Sequence, residues 1–106
     1  MLLYLASTMR TVNIDYTPKW TRGTPNNYID SVTFPRVLAD KVYTYRLMVD
    51  ENDLGITKPY SVQSDGSQKV NFLEYNKGYG IDQAHKIRVY VVDSDTQNQY
   101  LVAEWN

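Results

Sequence analysis

The stretch that decides the fold is KVYTYRLMV, at positions 41–49. Its odd positions from Tyr43 to Val49 carry aromatic or aliphatic side chains, whereas Thr44 and Arg46 between them are polar. Successive side chains of a β-strand point to opposite faces, so this alternation gives the segment one apolar face and one polar face. The stretch therefore predicts a strand that buries one face in a core.

Short segments of the same kind lie on both sides of it, and we expect strands at 11–16, 28–34, 56–63, 68–75, 86–93 and 99–105. Pro59 marks one of them as an edge strand, because proline cannot donate to a ladder. Ser64-Asp65-Gly66-Ser67 is a hairpin signal, since Asp-Gly suits a type I′ turn. About seven short strands without an interior helix predict an all-β fold, a β-sandwich of the immunoglobulin or fibronectin type III layout.

A narrow apolar seam near the N-terminus is formed by Leu2, Leu5, Met9 and Val12. Their spacing of i, i+3, i+7 and i+10 predicts a short α-helix over residues 1–10. The seam could cover its own sandwich or meet the same seam on a second chain. A helix this short is marginal alone, so we expect a homodimer. Residues 11–106 would form the sandwich, with strand 11–16 available for exchange between protomers.

The composition excludes several classes of function. The 106 residues suffice for one domain, and 11 Lys and Arg against 12 Asp and Glu leave a net charge of −1, so no basic excess favours a nucleic-acid partner. The absence of cysteine excludes disulfides, zinc–thiolate sites and thiol catalysis. No apolar run approaches the roughly 18 residues of a membrane helix. The start, MLLYLA, lacks the positive region of a signal peptide, so we expect no membrane insertion and assign no compartment.

Catalytic and metal sites are not predicted. His85, the single histidine, follows Asp82 by three residues, but a surface histidine ahead of a strand explains it better than a serine–histidine–aspartate site. Residues 50–55 start like a calcium loop, yet Leu54 offers no side-chain oxygen and Ser61 stands where a bidentate glutamate is needed. They are expected to form a polar turn. The sequence thus predicts a non-enzymatic protein without a metal or cofactor.

Aromatic loops are the more promising binding feature of a chain with ten tyrosines and two tryptophans. Pro18 and Gly23 predict a loop around Trp20. The Trp20 ring would suit the C–H face of a pyranose, while Thr24 and the neighbouring asparagines bond its hydroxyl groups. Alternatively, Trp20 would fold back as a lid on the end of the sandwich. Tyr79, between two glycines, is a weaker candidate of the same kind.

Longer motifs carry a family resemblance. They are DYTPKW at 15–20, RGTP at 22–25, YID at 28–30, VTFP at 32–35, YTYR at 43–46, DLG at 53–55, SDGSQKVNFLEYN at 64–76, GYG at 78–80 and AEW at 103–105. Together they span nearly the whole chain and closely resemble the fungal immunomodulatory proteins, the small mitogenic lectin-like proteins of mushrooms.

The resemblance implies a fibronectin type III-like sandwich behind an N-terminal helix, and a dimer formed through that helix and an exchanged first strand. It implies a non-enzymatic activity, namely glycan-dependent binding to blood and immune cells, red-cell agglutination and stimulation of T lymphocytes. The sugar site that it implies, in loops at one end of the sandwich, comprises Trp20, Thr24, Asp30, Thr33, Ile87 and Trp105. Lys86 stands where the family pattern has a sugar-contacting threonine, and its ammonium can still donate hydrogen bonds.

Two functional hypotheses follow from the sequence. In the first, a dimer with two sugar sites crosslinks glycans or glycoprotein receptors on immune and red blood cells, because two weak sites on one particle add avidity. In the second, the aromatic loops dock a receptor protein without recognising sugar. Either activity would be exerted outside the cell.

Overall fold

The structure, a computed structural model, describes residues 17–23, 28–37, 42–93 and 95–106. The described residues form one 3-10 helix, Phe72–Glu74, and the strands β1 Lys19–Arg22, β2 Tyr28–Phe34, β3 Val42–Val49, β4 Asn52–Ile56, β5 Tyr60–Ser61, β6 Gln68–Asn71, β7 Ile81–Asp82, β8 Ile87–Val92 and β9 Gln99–Trp105. Outside the described ranges lie the predicted N-terminal helix and strand 11–16, with Leu2, Leu5, Met9 and Val12. Within those ranges, no helix has the length and apolar character needed to cross a membrane.

The strands pair into two antiparallel sheets. The first sheet has the order β1-β2-β6, and β7 pairs with the start of β2. The second has the order β4-β3-β8-β9, and β5 pairs with the start of β3. The strands at Tyr28–Phe34 and Gln99–Trp105 have the predicted bounds. The all-β prediction is confirmed for the part of the chain that the structure describes.

One core lies between the two sheets. The rings of Phe34 and Tyr45 stack across it, with centroids 5.5 Å apart and planes at 8°. Alternate residues of β3 are buried, as the pattern at 43–49 predicts. The Tyr45 hydroxyl donates to Gln68 Oε1, and the Gln68 amide donates to the Tyr60 carbonyl at 3.0 Å. Burial raises the pKa of the Tyr45 phenol, which therefore stays protonated in this network.

The predicted polar turn at 50–55 is wrong for most of its length, because β4 already begins at Asn52. Asp50 allows the tight reversal by taking a positive φ of 54°, a conformation that aspartate tolerates. Of the strand predicted at 56–63, only Tyr60–Ser61 forms β5, while Ile56 ends β4. The turn between β3 and β4 is therefore two residues long, shorter than the polar composition of residues 50–55 indicates.

The strand predicted at 68–75 ends at Asn71, where the chain turns into the 3-10 helix. The Asn71 side chain accepts a hydrogen bond from the Leu73 N–H at 3.0 Å and so caps the helix start. This local bond competes with continuation of the ladder. The turn buries Phe72 completely and brings its ring toward the first strand.

Candidate functional site

Trp20 lies in a strand, so the predicted loop is wrong at residues 19–22. β1 pairs with β2 in a register that sets Trp20 opposite the fully buried Val32. Directly opposed residues of an antiparallel pair point to the same face, so Trp20 points toward the core. Pairing with β2 overrides the local turn preference, and Pro18 and Gly23 flank the strand instead.

Trp20 and Trp105 meet where the outer strands of the two described sheets face each other. Their ring centroids are 5.9 Å apart with the planes at 64°, an edge-to-face contact. Phe72 supports Trp20 at a centroid distance of 6.2 Å, and the guanidinium carbon of Arg22 lies 5.5 Å from the Trp105 ring centroid. Both indoles remain partly exposed. We call Trp20, Trp105, Arg22 and Phe72 the tryptophan cluster.

Trp105 is held in place by the second sheet. It stands opposite Ile87 in the β8–β9 pairing, and its indole N–H donates to the Gln83 carbonyl at 3.2 Å. Ile87 is 0% exposed, so it supports Trp105 from within the core. Lys86 is exposed, with Nζ 3.6 Å from Glu104 Oε2. Exposed pairs of this kind are weak, which leaves the ammonium group available to a ligand.

Asp30 is the extra residue of a β-bulge, because the register between β1 and β2 skips it. Its half-buried carboxylate occupies a slot between Gly23 and Gly80, where an added Cβ on either glycine would overlap the carboxylate. Bulges re-aim side chains in this way near binding sites. The sequence does not single out Gly23 or Gly80 for this purpose, since only their closeness to Asp30 in space explains why a side chain is excluded.

One of the predicted residues points away from the cluster. Thr33 stands opposite Lys19, one position along from the Trp20–Val32 pair, and therefore points to the other face of the first sheet. A single ligand would contact both Trp20 and Thr33 only by passing around β1. Thr24 lies outside the described residues. The tryptophan cluster thus unites Trp20 and Trp105 with Arg22, a residue that the sequence did not single out.

His85 pairs with Asp50 rather than with Asp82. Its Nδ1 lies 2.6 Å from Asp50 Oδ2, and Asp50 Oδ1 accepts the Lys86 backbone N–H at 2.9 Å. The backbone bond first and the histidine second lower the pKa of the Asp50 carboxyl. Asp82 instead accepts backbone N–H groups of its own turn, from Ala84 and His85. Across the described ranges, no three His, Asp or Glu side chains converge to hold a metal ion.

Similarity to known proteins extends over the whole of this framework. The family model described as "Fungal immunomodulatory protein Fve" matches residues 11–105. The chain belongs to the fungal immunomodulatory protein family. A curated relative, the immunomodulatory protein FIP-Fve of Flammulina velutipes, is 50% identical over 103 residues, which cover 95% of this chain and 90% of the relative. The family resemblance drawn from the sequence motifs is confirmed.

The family match includes every residue of the tryptophan cluster. This fungal immunomodulatory protein carries both sheets, β1 through β9, inside the matched residues 11–105. Most of the N-terminal seam precedes the match, and Val12 lies within it. The candidate site therefore lies within the span that the family model matches.

Proposed function

We propose that this fungal immunomodulatory protein acts on immune cells by binding their surface glycans at the tryptophan cluster, as a dimer with two such sites. The observation that carries the proposal is the contact between Trp20 and Trp105, two large and partly exposed rings held together by strands of both sheets. The immunomodulatory role is supported by the 50% identical relative, which is named as an immunomodulatory protein.

The tryptophan cluster offers the chemical groups that a saccharide needs. The exposed part of an indole packs on the C–H groups of a pyranose ring. Arg22 and Lys86 supply hydrogen-bond donors, and the Asp30 carboxylate supplies an acceptor. Because both tryptophans are fixed in strands before the ligand arrives, binding costs little side-chain entropy. Thr24 completes the proposed set through its hydroxyl group, and Ile87 acts by supporting Trp105. Thr33 would join only a ligand long enough to pass around β1.

Crosslinking of cells requires more than one site on each particle. We assign the dimer contact to a helix over residues 1–10 and to exchange of strand 11–16 between protomers. The apolar seam proposed for this contact comprises Leu2, Leu5 and Met9 of the helix and Val12 at the start of the strand. Two weak sites on one dimer act together on a cell surface, because the first binding event raises the effective concentration for the second. The orders β1-β2-β6 and β4-β3-β8-β9 are compatible with the fibronectin type III layout that the resemblance implies.

A glycan array with three forms of the protein tests the sugar site. We expect the native chain to bind a defined set of glycans, Trp20→Ala to lose at least about tenfold in affinity, roughly 1.4 kcal/mol, and Trp20→Phe to retain part of it. Arg22→Ala, at an exposed position, gives a second reduction without removing core packing. A native chain that binds no glycan on a broad array, while still binding deglycosylated cells, would favour a protein receptor instead.

A Leu5→Asp variant tests the dimer separately. A charge in the apolar seam should yield monomers that still bind glycans on an array and no longer agglutinate red cells. Analytical ultracentrifugation reports the oligomeric state, and Thr8→Asp outside the seam is the matched control. Monomers that agglutinate as well as the native protein would contradict crosslinking by this dimer.

A further inference from the structure

A groove of about 400 Å³ opens between the ends of the two sheets. The side chains that shape it include Tyr28, Asn76, Tyr79 and Asp82 on the side of the first sheet, and Asp50 and His85 on the side of the second. Neither tryptophan lines it. Its size falls within the range of about 300–1,000 Å³ that is typical of small-molecule sites.

Tyr79 stands at the groove as an exposed ring on a fixed backbone. Its side chain is 68% exposed. Its N–H donates to the Asn76 carbonyl at 3.0 Å, and the Asn76 side-chain amide donates to the Gly80 carbonyl at 3.1 Å. Gly78 closes the turn with a φ of 84°, which glycine adopts without strain. The loop therefore holds the Tyr79 ring in a fixed position at the surface. The ring does not take part in core packing.

The opposite wall of the groove carries polar groups that are already hydrogen-bonded within the protein. Both oxygens of the Asp50 carboxylate are engaged, by His85 at 2.6 Å and by the Lys86 N–H at 2.9 Å, and the Arg88 guanidinium donates to the Asp50 carbonyl at 3.0 Å. Fixed acceptors and donors beside an aromatic face suit the hydroxyl groups of a saccharide.

We propose that this groove is a second saccharide-binding site, in which Tyr79 packs on a sugar ring while Asp82 and the Asp50–His85 pair bond its hydroxyl groups. The site is separate from the one proposed at the tryptophan cluster and does not depend on it. One turn connects the groove to the tryptophan cluster. In this turn, the Gln83 carbonyl accepts a hydrogen bond from the Trp105 indole, and Asp82 and His85 line the groove.

The composition of the chain supplies a reporter for each site. The single histidine lines the groove, and both tryptophans lie in the tryptophan cluster. Nuclear magnetic resonance can therefore follow the His85 imidazole C–H and the two indole N–H signals in one titration. The probes are the neutral disaccharides maltose, lactose and diacetylchitobiose, with tetramethylammonium chloride as the cationic probe. We expect at least one disaccharide to shift the His85 signal saturably at millimolar concentration, in the native chain and in Trp20→Ala alike.

Two variants of one residue test the role of the ring. Tyr79→Ala should weaken the His85-detected affinity about tenfold, the effect of losing roughly 1.4 kcal/mol. Tyr79→Phe keeps the ring and should stay within about twofold of the native affinity, less than about 0.4 kcal/mol. Both substitutions are at an exposed position, so the variants remain folded and the comparison measures binding.

The proposal is overturned if no disaccharide moves the His85 signal, if only tetramethylammonium does, or if Tyr79→Ala leaves the response unchanged. A response that disappears in Trp20→Ala, while the amide spectrum stays that of the folded chain, would also overturn it, because the groove would then be an extension of the cluster. Indole signals that stay still while the His85 signal moves would contradict the first site and support the second, so the two failures are distinguishable.

Discussion

The tryptophan cluster and the groove adjoin, and they are built in opposite ways. The cluster is made by strands, and its rings pack on Phe72 and on each other, so they stabilise the fold as well as offering a surface. The groove is lined by strand ends together with two turns, and Tyr79 projects from a hydrogen-bonded loop without being buried. A substitution in the cluster that abolishes binding has two explanations, because the same side chain also supports the core. A substitution of Tyr79 in the groove has one, because its side chain is exposed and its loss affects only the ligand.

The largest effect is expected for Trp105→Ala, which should lower the free energy of unfolding by about 2–4 kcal/mol. Truncation of a buried aromatic residue costs about 3–5 kcal/mol, and Trp105 is only partly buried. Urea denaturation with an unchanged m value measures the loss. Trp105→Phe, which keeps an aromatic contact to Trp20, is the control and should lose less. A loss below about 0.5 kcal/mol, the range of surface substitutions, would show that the cluster does not stabilise the fold.

Gly80→Ala tests the slot that separates the two regions, and we expect a loss of about 1–3 kcal/mol from overpacking. Its new Cβ would overlap the Asp30 carboxylate and would also lie 3.0 Å from the Ile29 carbonyl oxygen. For Gly23→Ala, the three nearest atoms all belong to the Asp30 carboxylate. Adding Asp30→Ala should therefore rescue Gly23→Ala nearly completely and Gly80→Ala only in part. Equal rescue in a double-mutant cycle would contradict the backbone contact.

Asp50→Asn tests the wall of the groove through its pH dependence. The folded pKa of the Asp50 carboxyl is lowered, so it stabilises the fold above its unfolded pKa of about 3.9, and this contribution disappears as the pH falls through the folded value. The difference in unfolding free energy between the native chain and Asp50→Asn should be largest near neutral pH and should shrink below about pH 4. Asparagine tolerates the positive φ at this position.

Asp65→Asn is the matched control for that experiment. The Ser67 hydroxyl and backbone N–H lower the pKa of the Asp65 carboxyl, so this variant should show the same trend with pH. Only Asp50→Asn should shift the His85 imidazole signal, because only Asp50 contacts the histidine. A pH-independent difference for Asp50→Asn would contradict the lowered pKa.

The smallest effect on stability is expected for Tyr79→Ala, within about 0.5 kcal/mol of the native chain, as for other surface substitutions. Its side chain is 68% exposed, and the turn beneath it is held by backbone and Asn76 hydrogen bonds. Thermal unfolding of the two proteins side by side measures the difference. A loss above about 1 kcal/mol would show that Tyr79, like the tryptophans, serves the core.

The sequence pattern predicted the three longest strands. β3 follows the pattern of 43–49, and the strands at Tyr28–Phe34 and Gln99–Trp105 have the expected bounds. β1 was missed, because Trp20 is in a strand only by virtue of its pairing with Val32, and the local residues favour a turn. β4 was missed because the polar residues 50–55 suggested a turn of six residues. The chain instead reverses within two residues, since Asp50 adopts a positive φ, and β4 begins at Asn52.

The sequence predicted which residue types belong to the candidate sites, but not which of them are in contact. Trp20 and Trp105 were singled out as aromatic residues, and their contact joins positions 85 apart in the sequence. His85 was noted beside Asp82, yet its partner is Asp50, 35 positions away. The spacing of residues along the sequence cannot predict these two contacts, because they depend on how the strands pair and how the two sheets pack against each other.

The bulge at Asp30 lets β2 bury one face although its core residues are unevenly spaced. Ile29 and Val32 are both fully buried although three positions separate them, because Asp30 is the additional residue between them. Without it, strict alternation from Ile29 to Phe34 would still point every core side chain inward. The extra residue at position 30 therefore shifts the alternation of β2 by one place and keeps Ile29 on the core side.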